Sequence, residues 1–292
     1  MGPSQPSPPP ISAWRPLVVA ALEEDVGPGD VTSQISVPAD AVGRAQIEAR
    51  EEVVVCGLDV AQEVFAQVDP GLAFEAQVRD GDVVAAGAPL AFIEGSLRAI
   101  LTAERTALNF MTRLCGIALH ARRFTTAVAG TGASIVDTRK TLPGWRVLDK
   151  YAAATGGAVN HRVGLFDGIL LKDNHIAAAG GVTAAVKSAL AGAPAGLRVQ
   201  VEVTSEAEVD EAVAAGADFL LLDNLEPDVC RRIAERCGAG VLLESSGGIG
   251  LHNVREHAEA GVQRISIGAI THSAPAADLA LEVVDAPTAT RR

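Results

Sequence analysis

Lysine is scarce in this chain of 292 residues: there are four, and three of them, Lys140, Lys150 and Lys172, fall between positions 137 and 175. Arg139, Arg146, His161, Arg162 and His175 add five potential cations to the same stretch, inside a chain of formal net charge -12. A local cationic cluster in an acidic chain asks for an anionic ligand. Lysine supplies a compact point charge and arginine a planar fork suited to carboxylate or phosphate, so the mixture fits a ligand carrying several kinds of anionic group. The alternative is a solvated face of ion pairs, since Asp137, Asp149, Asp167 and Asp173 lie nearby.

Two further groups carry chemistry. Glu202 and Asp223 close two apolar runs, where carboxylates accept from ribose hydroxyls, hold Mg²⁺ through water, or pair with the lysines. Ser246-Gly247-Gly248 and Ile267-Gly268-Ala269 close two later runs. Their backbone N–H groups suit a phosphate, although such glycines also serve simply to make tight turns.

The elements that must position these groups are six short apolar runs in the second half: 133–138, 168–173, 199–203, 218–224, 241–245 and 264–269. Amphipathic segments of helical period separate most of them. In one, Ser205 and Glu208 form a capping-box pattern, and Gly216 follows as a C-cap. Alternating β and α with fully apolar strands predicts a parallel sheet buried on both faces, and the repeat length favours a (β/α) barrel. Barrel enzymes build their sites at strand C-termini, where Thr138, Arg139, Lys140, Lys172, Glu202 and Asp223 fall. No GxGxxG follows any run, so a dinucleotide fold has little support.

Upstream, the sequence predicts a helix near 58–68 and another over about 97–126 that carries Arg105. Residues 78–95 resemble the hairpin of a biotinyl or lipoyl carrier, but no lysine precedes Lys140 to carry such a group. The proline-rich residues 1–12 are expected to form a flexible tail.

With only 3% aromatic residues and an acidic balance, the chain does not suit nucleic-acid binding. No apolar run approaches the ~20 residues that span a bilayer, and the first residues lack the pattern of a signal peptide, so a cytoplasmic location away from membranes is expected. Cys56, Cys115, Cys230 and Cys237 have no zinc-motif spacing and are expected as buried or incidental thiols.

Taken together, EDVGPGDVTS, ERTALNFMTRLCGIA, the DTRKT…HR…KDNH stretch, VEVTS, LLLDN, ESSGGI and SIGAITHS closely resemble nicotinate-nucleotide pyrophosphorylase (carboxylating), the quinolinate phosphoribosyltransferase family, over about residues 15–284. The resemblance implies an α/β fold: an N-terminal α/β sandwich domain (13–115 plus 275–292) and an incomplete (β/α) barrel (116–274). It implies conversion of quinolinate and phosphoribosyl pyrophosphate to nicotinate mononucleotide, pyrophosphate and CO₂ with Mg²⁺, in NAD biosynthesis. Thr138, Arg139, His161, Arg162 and Lys172 would bind quinolinate. Lys140 would hold the pyrophosphate, and Glu202 and Asp223 would meet the ribose and the metal region. Lys140, Lys172, Glu202 and Asp223 form the implied catalytic set. Ser246, Gly247, Gly248, Ile267, Gly268 and Ala269 would take the 5′-phosphate. Arg105 would reach the neighbouring subunit's site in a homodimer or larger homo-oligomer. Lys150 has no place in that set and is expected as a surface charge on a helix. Two other readings stay open: a molybdenum-linked pyrophosphorylase-like protein, which should lack part of the dicarboxylate cluster, and a non-catalytic phosphosugar-binding barrel, which should lack an acid at 202 or 223.

Overall fold

The structure is a computed structural model and describes residues 6–285. In chain order it opens with α1 (Arg15–Val26), α2 (Val31–Ser36), β1 (Val42–Ala49), β2 (Val53–Val54), α3 (Leu58–Val68), β3 (Ala73–Ala76), β4 (Val83–Val84) and β5 (Pro89–Ser96). Then follow α4 (Leu97–Ala127), β6 (Ser134–Val136), α5 (Arg146–Thr155), β7 (Ile169–Leu171), α6 (Asp173–Ala179), α7 (Val182–Gly192) and β8 (Val199–Val203). The chain closes with α8 (Glu206–Ala214), β9 (Phe219–Asp223), α9 (Pro227–Cys237), β10 (Leu242–Ser246), α10 (Val254–Glu259), β11 (Arg264–Ser266), α11 (Ala269–His272) and β12 (Leu279–Asp285). Part of the expected tail, residues 1–5, lies outside the described residues, as do 286–292 of the expected first domain. Ile11–Ala13 forms a 3₁₀ turn, and Trp14 beside it is buried and donates to Pro9 O at 3.1 Å.

Two compact units result. The first holds the described residues up to His120, Leu142–Gly156 and the chain from Ala274 on. Its antiparallel sheet has the order β12-β1-β5-β3, so the C-terminal strand closes onto the first one. Ala45, Ile47 and Ala49 alternate into the core along β1, as a half-buried strand requires. Val60, Ala61, Val64 and Phe65 form the matching buried stripe of α3, each large side chain contributing roughly 1.5–3 kcal/mol on burial.

The carrier-like hairpin over 78–95 does not form. β4 pairs with β2, while β5 pairs with β1 and β3. The amides of Gly57 and Leu58 donate to the Asp80 carboxylate at 2.9 and 3.2 Å, and Gly81 N donates to Val55 O at 2.8 Å. These bonds draw residues 80–84 to β2 and leave β5 to the larger sheet.

Although the sequence sets α5 within the barrel stretch, its bonds lie in the first unit. Arg113 grips Asp149 with Nε to Oδ1 at 3.0 Å and Nη2 to Oδ2 at 2.7 Å, and Tyr151 Oη donates to Asp80 Oδ2 at 2.9 Å. Burial pushes the Asp149 carboxyl up, and the Arg113 guanidinium partly offsets this. Lys150 is not the expected surface charge: it is 2% exposed, on a helix that also buries Leu148, Asp149, Tyr151, Ala152 and Ala153. Cys56, Cys115 and Cys230 are buried thiols and all four cysteines are free, as expected.

The second unit comprises Ala121–Thr141 and Gly157–Ser273. All six expected runs are strands of one parallel sheet, in the order β6-β11-β10-β9-β8-β7. That order is a barrel opened between β6 and β7. Val136, Val201, Leu220, Leu222, Leu243 and Ile265 are fully buried, because strands covered on both faces need apolar side chains on each. Ser205 caps α8 as predicted, its hydroxyl accepting from Glu208 N at 3.3 Å, and Gly216 follows with φ +103°. Because the strands are parallel, their polar C-terminal residues share one edge. No described helix is long and apolar enough to cross a membrane.

Candidate active site at the strand ends

The C-terminal edge of the six-stranded sheet encloses a cavity of about 600 Å³. Thr138, Arg139, Lys140, His161, Arg162, Lys172, Glu202, Asp223, Ser246, Gly247, Gly248, Ile267, Gly268 and Ala269 all line it. Arg105 does not; its side chain lies on α4, 62% exposed, beside Glu104. Arg146 and Lys150 lie on α5 and are also outside the lining. His175, in the first turn of α6, accepts from Lys172 N–H at 3.0 Å through Nδ1 and serves as a helix cap.

The open seam of the barrel places two of the cations. Val159 bridges to Val136 in parallel, its N–H donating to Ile135 O at 2.8 Å, so residues 159–162 run along the free edge of β6. Asp137 Oδ1 accepts from His161 N–H at 2.7 Å, and Arg162 Nη1 donates to Gly168 O at 3.0 Å just before β7. Both side chains enter the cavity through the gap that a closed barrel would not have. Burial, and after it the nearby Arg139 charge, lowers the Arg162 guanidinium pKa. Two like charges held together are relieved by an anion.

Opposite them the acids are already engaged. Lys172 Nζ lies 2.5 Å from Glu202 Oε2. Asn224 Nδ2 donates to Asp223 Oδ2 at 2.8 Å. Asn224 is the one non-glycine described residue with positive φ, at 55°, a conformation asparagine tolerates better than most residues. Its N–H donates to Ser246 O at 2.8 Å, and a Cβ on Gly247 (φ +92°) would stand 2.8 Å from Asn224 N. Glycine at 247 is therefore required twice, by its backbone angle and by the close approach of the β9 turn. At the neighbouring turn, a Cβ on Gly268 would meet Lys140 Cδ at 2.8 Å and His272 Nε2 at 3.1 Å. Thr271 Oγ1 donates to Lys140 O at 2.8 Å and fixes that loop.

Leu170, Leu221, Asn224, Ile249, Ser266 and His272 also line the cavity and were not singled out from the sequence. Strand alternation was a usable signal for three of them: Leu170, Leu221 and Ser266 each lie two residues before a lining residue and so point to the same face. His272 lies one helical turn after Gly268. The arrangement sets a cationic wall beside two carboxylates and a pair of glycine turns, which suits a polyanionic sugar phosphate together with a small carboxylate.

Family models agree with that chemistry. The quinolinate phosphoribosyl transferase N-terminal domain matches residues 30–115 and the C-terminal domain matches 117–282. The chain is 42% identical over 281 residues to the nicotinate-nucleotide pyrophosphorylase [carboxylating] of Mycobacterium leprae, covering 94% of this chain and 98% of that one. It is 40% identical over 260 residues to a probable nicotinate-nucleotide pyrophosphorylase [carboxylating] of Bacillus subtilis, covering 89% and 90%. The solved structure of the nicotinate-nucleotide pyrophosphorylase from Francisella tularensis superposes with a TM-score of 0.90 at 39% identity, covering 94% of this chain and 97% of that one. The chain belongs to the quinolinate phosphoribosyl transferase family.

Proposed function

We infer that this chain transfers the phosphoribosyl group of phosphoribosyl pyrophosphate to quinolinate, giving nicotinate mononucleotide, pyrophosphate and CO₂ in NAD biosynthesis. The observation that carries this reading is the joining of Arg139, Arg162 and Lys172 in one cavity with Glu202, Asp223 and the 246–248 and 267–269 turns. Quinolinate is a dianion, and several cations in one pocket overcome the unfavourable field of an acidic protein. Arg139, Arg162 and Lys172, with Thr138 and His161 beside them, take its two carboxylates. Lys140 meets the pyrophosphate, and Ser246, Gly247, Gly248, Ile267, Gly268 and Ala269 cradle the 5′-phosphate with backbone N–H groups.

Loss of pyrophosphate from C1 of the ribose builds oxocarbenium character, which Glu202 and Asp223 stabilise electrostatically while the quinolinate nitrogen forms the new bond. No covalent nucleophile on the protein is needed. Glycosylation makes the ring a pyridinium, whose positive nitrogen stabilises the electron pair left on the adjacent ring carbon when the carboxylate next to the nitrogen departs as CO₂. A proton then replaces that carboxylate on the ring carbon. Mg²⁺, when bound, supplies charge neutralisation for the leaving group. Glu202 and Asp223 suit it, because Mg²⁺ commonly takes one or two carboxylates with substrate phosphates, and among the described residues no set of three or more His, Cys, Asp or Glu forms a full protein cage.

Arg105 completes the carboxylate site from a neighbouring copy in a homo-oligomer; its exposure and its place outside the cavity lining support that reading. The test is incubation with quinolinate, phosphoribosyl pyrophosphate and Mg²⁺, following nicotinate mononucleotide by chromatography with nicotinate as the control substrate. Product from quinolinate alone is expected. Equal use of nicotinate, or no product, contradicts the reading.

A further inference from the structure

One layer below the cavity lies a buried polar cluster that the chemistry above does not use. Glu244 stands two residues before Ser246 on β10, and Gln200 two before Glu202 on β8, so strand alternation points both to the site's face. Glu244 is fully buried and Gln200 is 2% exposed. Glu244 Oε2 accepts from Arg264 Nε at 2.7 Å, and Oε1 accepts from the Ser266 hydroxyl and lies 3.5 Å from His161 Nε2. His161 and Ser266, which both line the cavity, thus meet the same carboxylate oxygen.

The hydrogen bonds fix the protonation of the His161 ring. Nδ1 accepts from Arg162 N–H at 2.7 Å and so carries no proton. The one ring proton must then sit on Nε2, facing Gln200 Oε1 at 2.9 Å and Glu244 beyond it. Gln200 Oε1 is the acceptor that faces this proton. Charged groups near the ring include Glu244, which Arg264 neutralises, Asp137, whose carboxylate takes the His161 backbone N–H, and Arg162, next in the chain.

We propose that Glu244 is a positioning residue of the quinolinate site: with Gln200 it holds His161 as a neutral Nε2–H imidazole, which in turn anchors the Arg162 backbone. The cationic charge offered to the ligand's carboxylates by this chain's cavity then comes from Arg139, Arg162 and Lys172, and His161 adds none. The kinetic part of this inference rests on the function proposed above; the ring protonation does not.

The experiment is long-range ¹H–¹⁵N correlation on histidine-labelled protein between pH 5.5 and 8, with the His161 signals assigned by their loss in His161→Asn. A single neutral Nε2–H pattern throughout is expected. A doubly protonated ring appearing in that range overturns the proposal. In Glu244→Gln the single-tautomer pattern is expected to be lost, and KM for quinolinate to rise about tenfold, the effect of losing one hydrogen bond to a charged group, with KM for phosphoribosyl pyrophosphate unchanged. If Glu244→Gln does not fold, Glu244→Asp, which keeps the charge but withdraws it, is read in the same way. An unaltered tautomer and unaltered KM in the folded variant also overturn the proposal. An enzyme that makes no nicotinate mononucleotide refutes the function, while the tautomer pattern still decides this inference.

Discussion

Lys172 Nζ lies 2.5 Å from Glu202 Oε2 across the neighbouring strands β7 and β8, so the cation assigned to quinolinate and the carboxylate assigned to the ribose neutralise each other. The Lys172 side chain is 48% exposed and that of Glu202 10%. Lysine can therefore turn to a ligand at small cost, while the acid stays fixed.

The first prediction separates the ligands. Arg139→Ala and Lys172→Ala should each weaken quinolinate binding by about 100-fold or more, as truncating one side of a desolvated charge pair does. Binding of phosphoribosyl pyrophosphate, measured by calorimetry, should be spared. Equal loss of both ligands argues against separate roles.

A second prediction concerns Arg105, exposed on α4 and outside the cavity lining. Arg105→Ala and Lys172→Ala should each be inactive alone. Mixed under conditions of subunit exchange, they should regain activity, because a hybrid oligomer contains a site with both residues intact. No rescue after exchange has been verified by mass places the whole site within one chain.

Gly247 offers a steric test. With φ +92° and a hypothetical Cβ 2.8 Å from Asn224 N, Gly247→Ala must displace the turn that carries Asp223 and Asn224. Strain of this kind costs about 1–3 kcal/mol. KM for phosphoribosyl pyrophosphate should rise strongly, with little change in quinolinate binding. Gly248→Ala meets no atom within 4 Å, although its φ is +62°, and should be milder.

Asp80 supplies a dependence on pH. Burial raises its pKa above 3.8, against the lowering effect of the bonds from Gly57, Leu58 and Tyr151. The folded state therefore holds the proton more tightly than the unfolded one. This group's share of stability is complete below about pH 4 and is lost as pH rises through the folded pKa. The stability of the parent chain relative to Asp80→Asn, from urea unfolding between pH 4 and 7, should fall with rising pH. A growing difference means that hydrogen bonds to the carboxylate outweigh its burial.

Much of this architecture is legible in the residues themselves. The strands from 133 to 269 announce themselves because each is short, apolar throughout and closed by polar or glycine residues, and parallel strands bring those ends to one edge. Ser205 and Glu208 mark the start of α8 for the same local reason. Local sequence misleads where distant partners decide. Nothing near Lys150 in sequence tells that α5 buries nearly all of its faces, and nothing in 78–95 tells that Gly57 and Leu58 will capture Asp80 and draw β4 to β2. His161 reads as one more cation until Glu244 and Gln200, remote in sequence, are found against its ring. The rule of two residues per strand repeat would have flagged both as a second layer beneath Ser246 and Glu202.

In the proposed function, one cavity joins phosphoribosyl transfer to decarboxylation. The most direct measurement uses quinolinate labelled with ¹³C at the carboxylate next to the ring nitrogen, with ¹³CO₂ and pyrophosphate quantified from the same reaction. Equal amounts of the two products, with neither released when nicotinate replaces quinolinate, are predicted. Pyrophosphate release without ¹³CO₂, or equal turnover of nicotinate, contradicts the account.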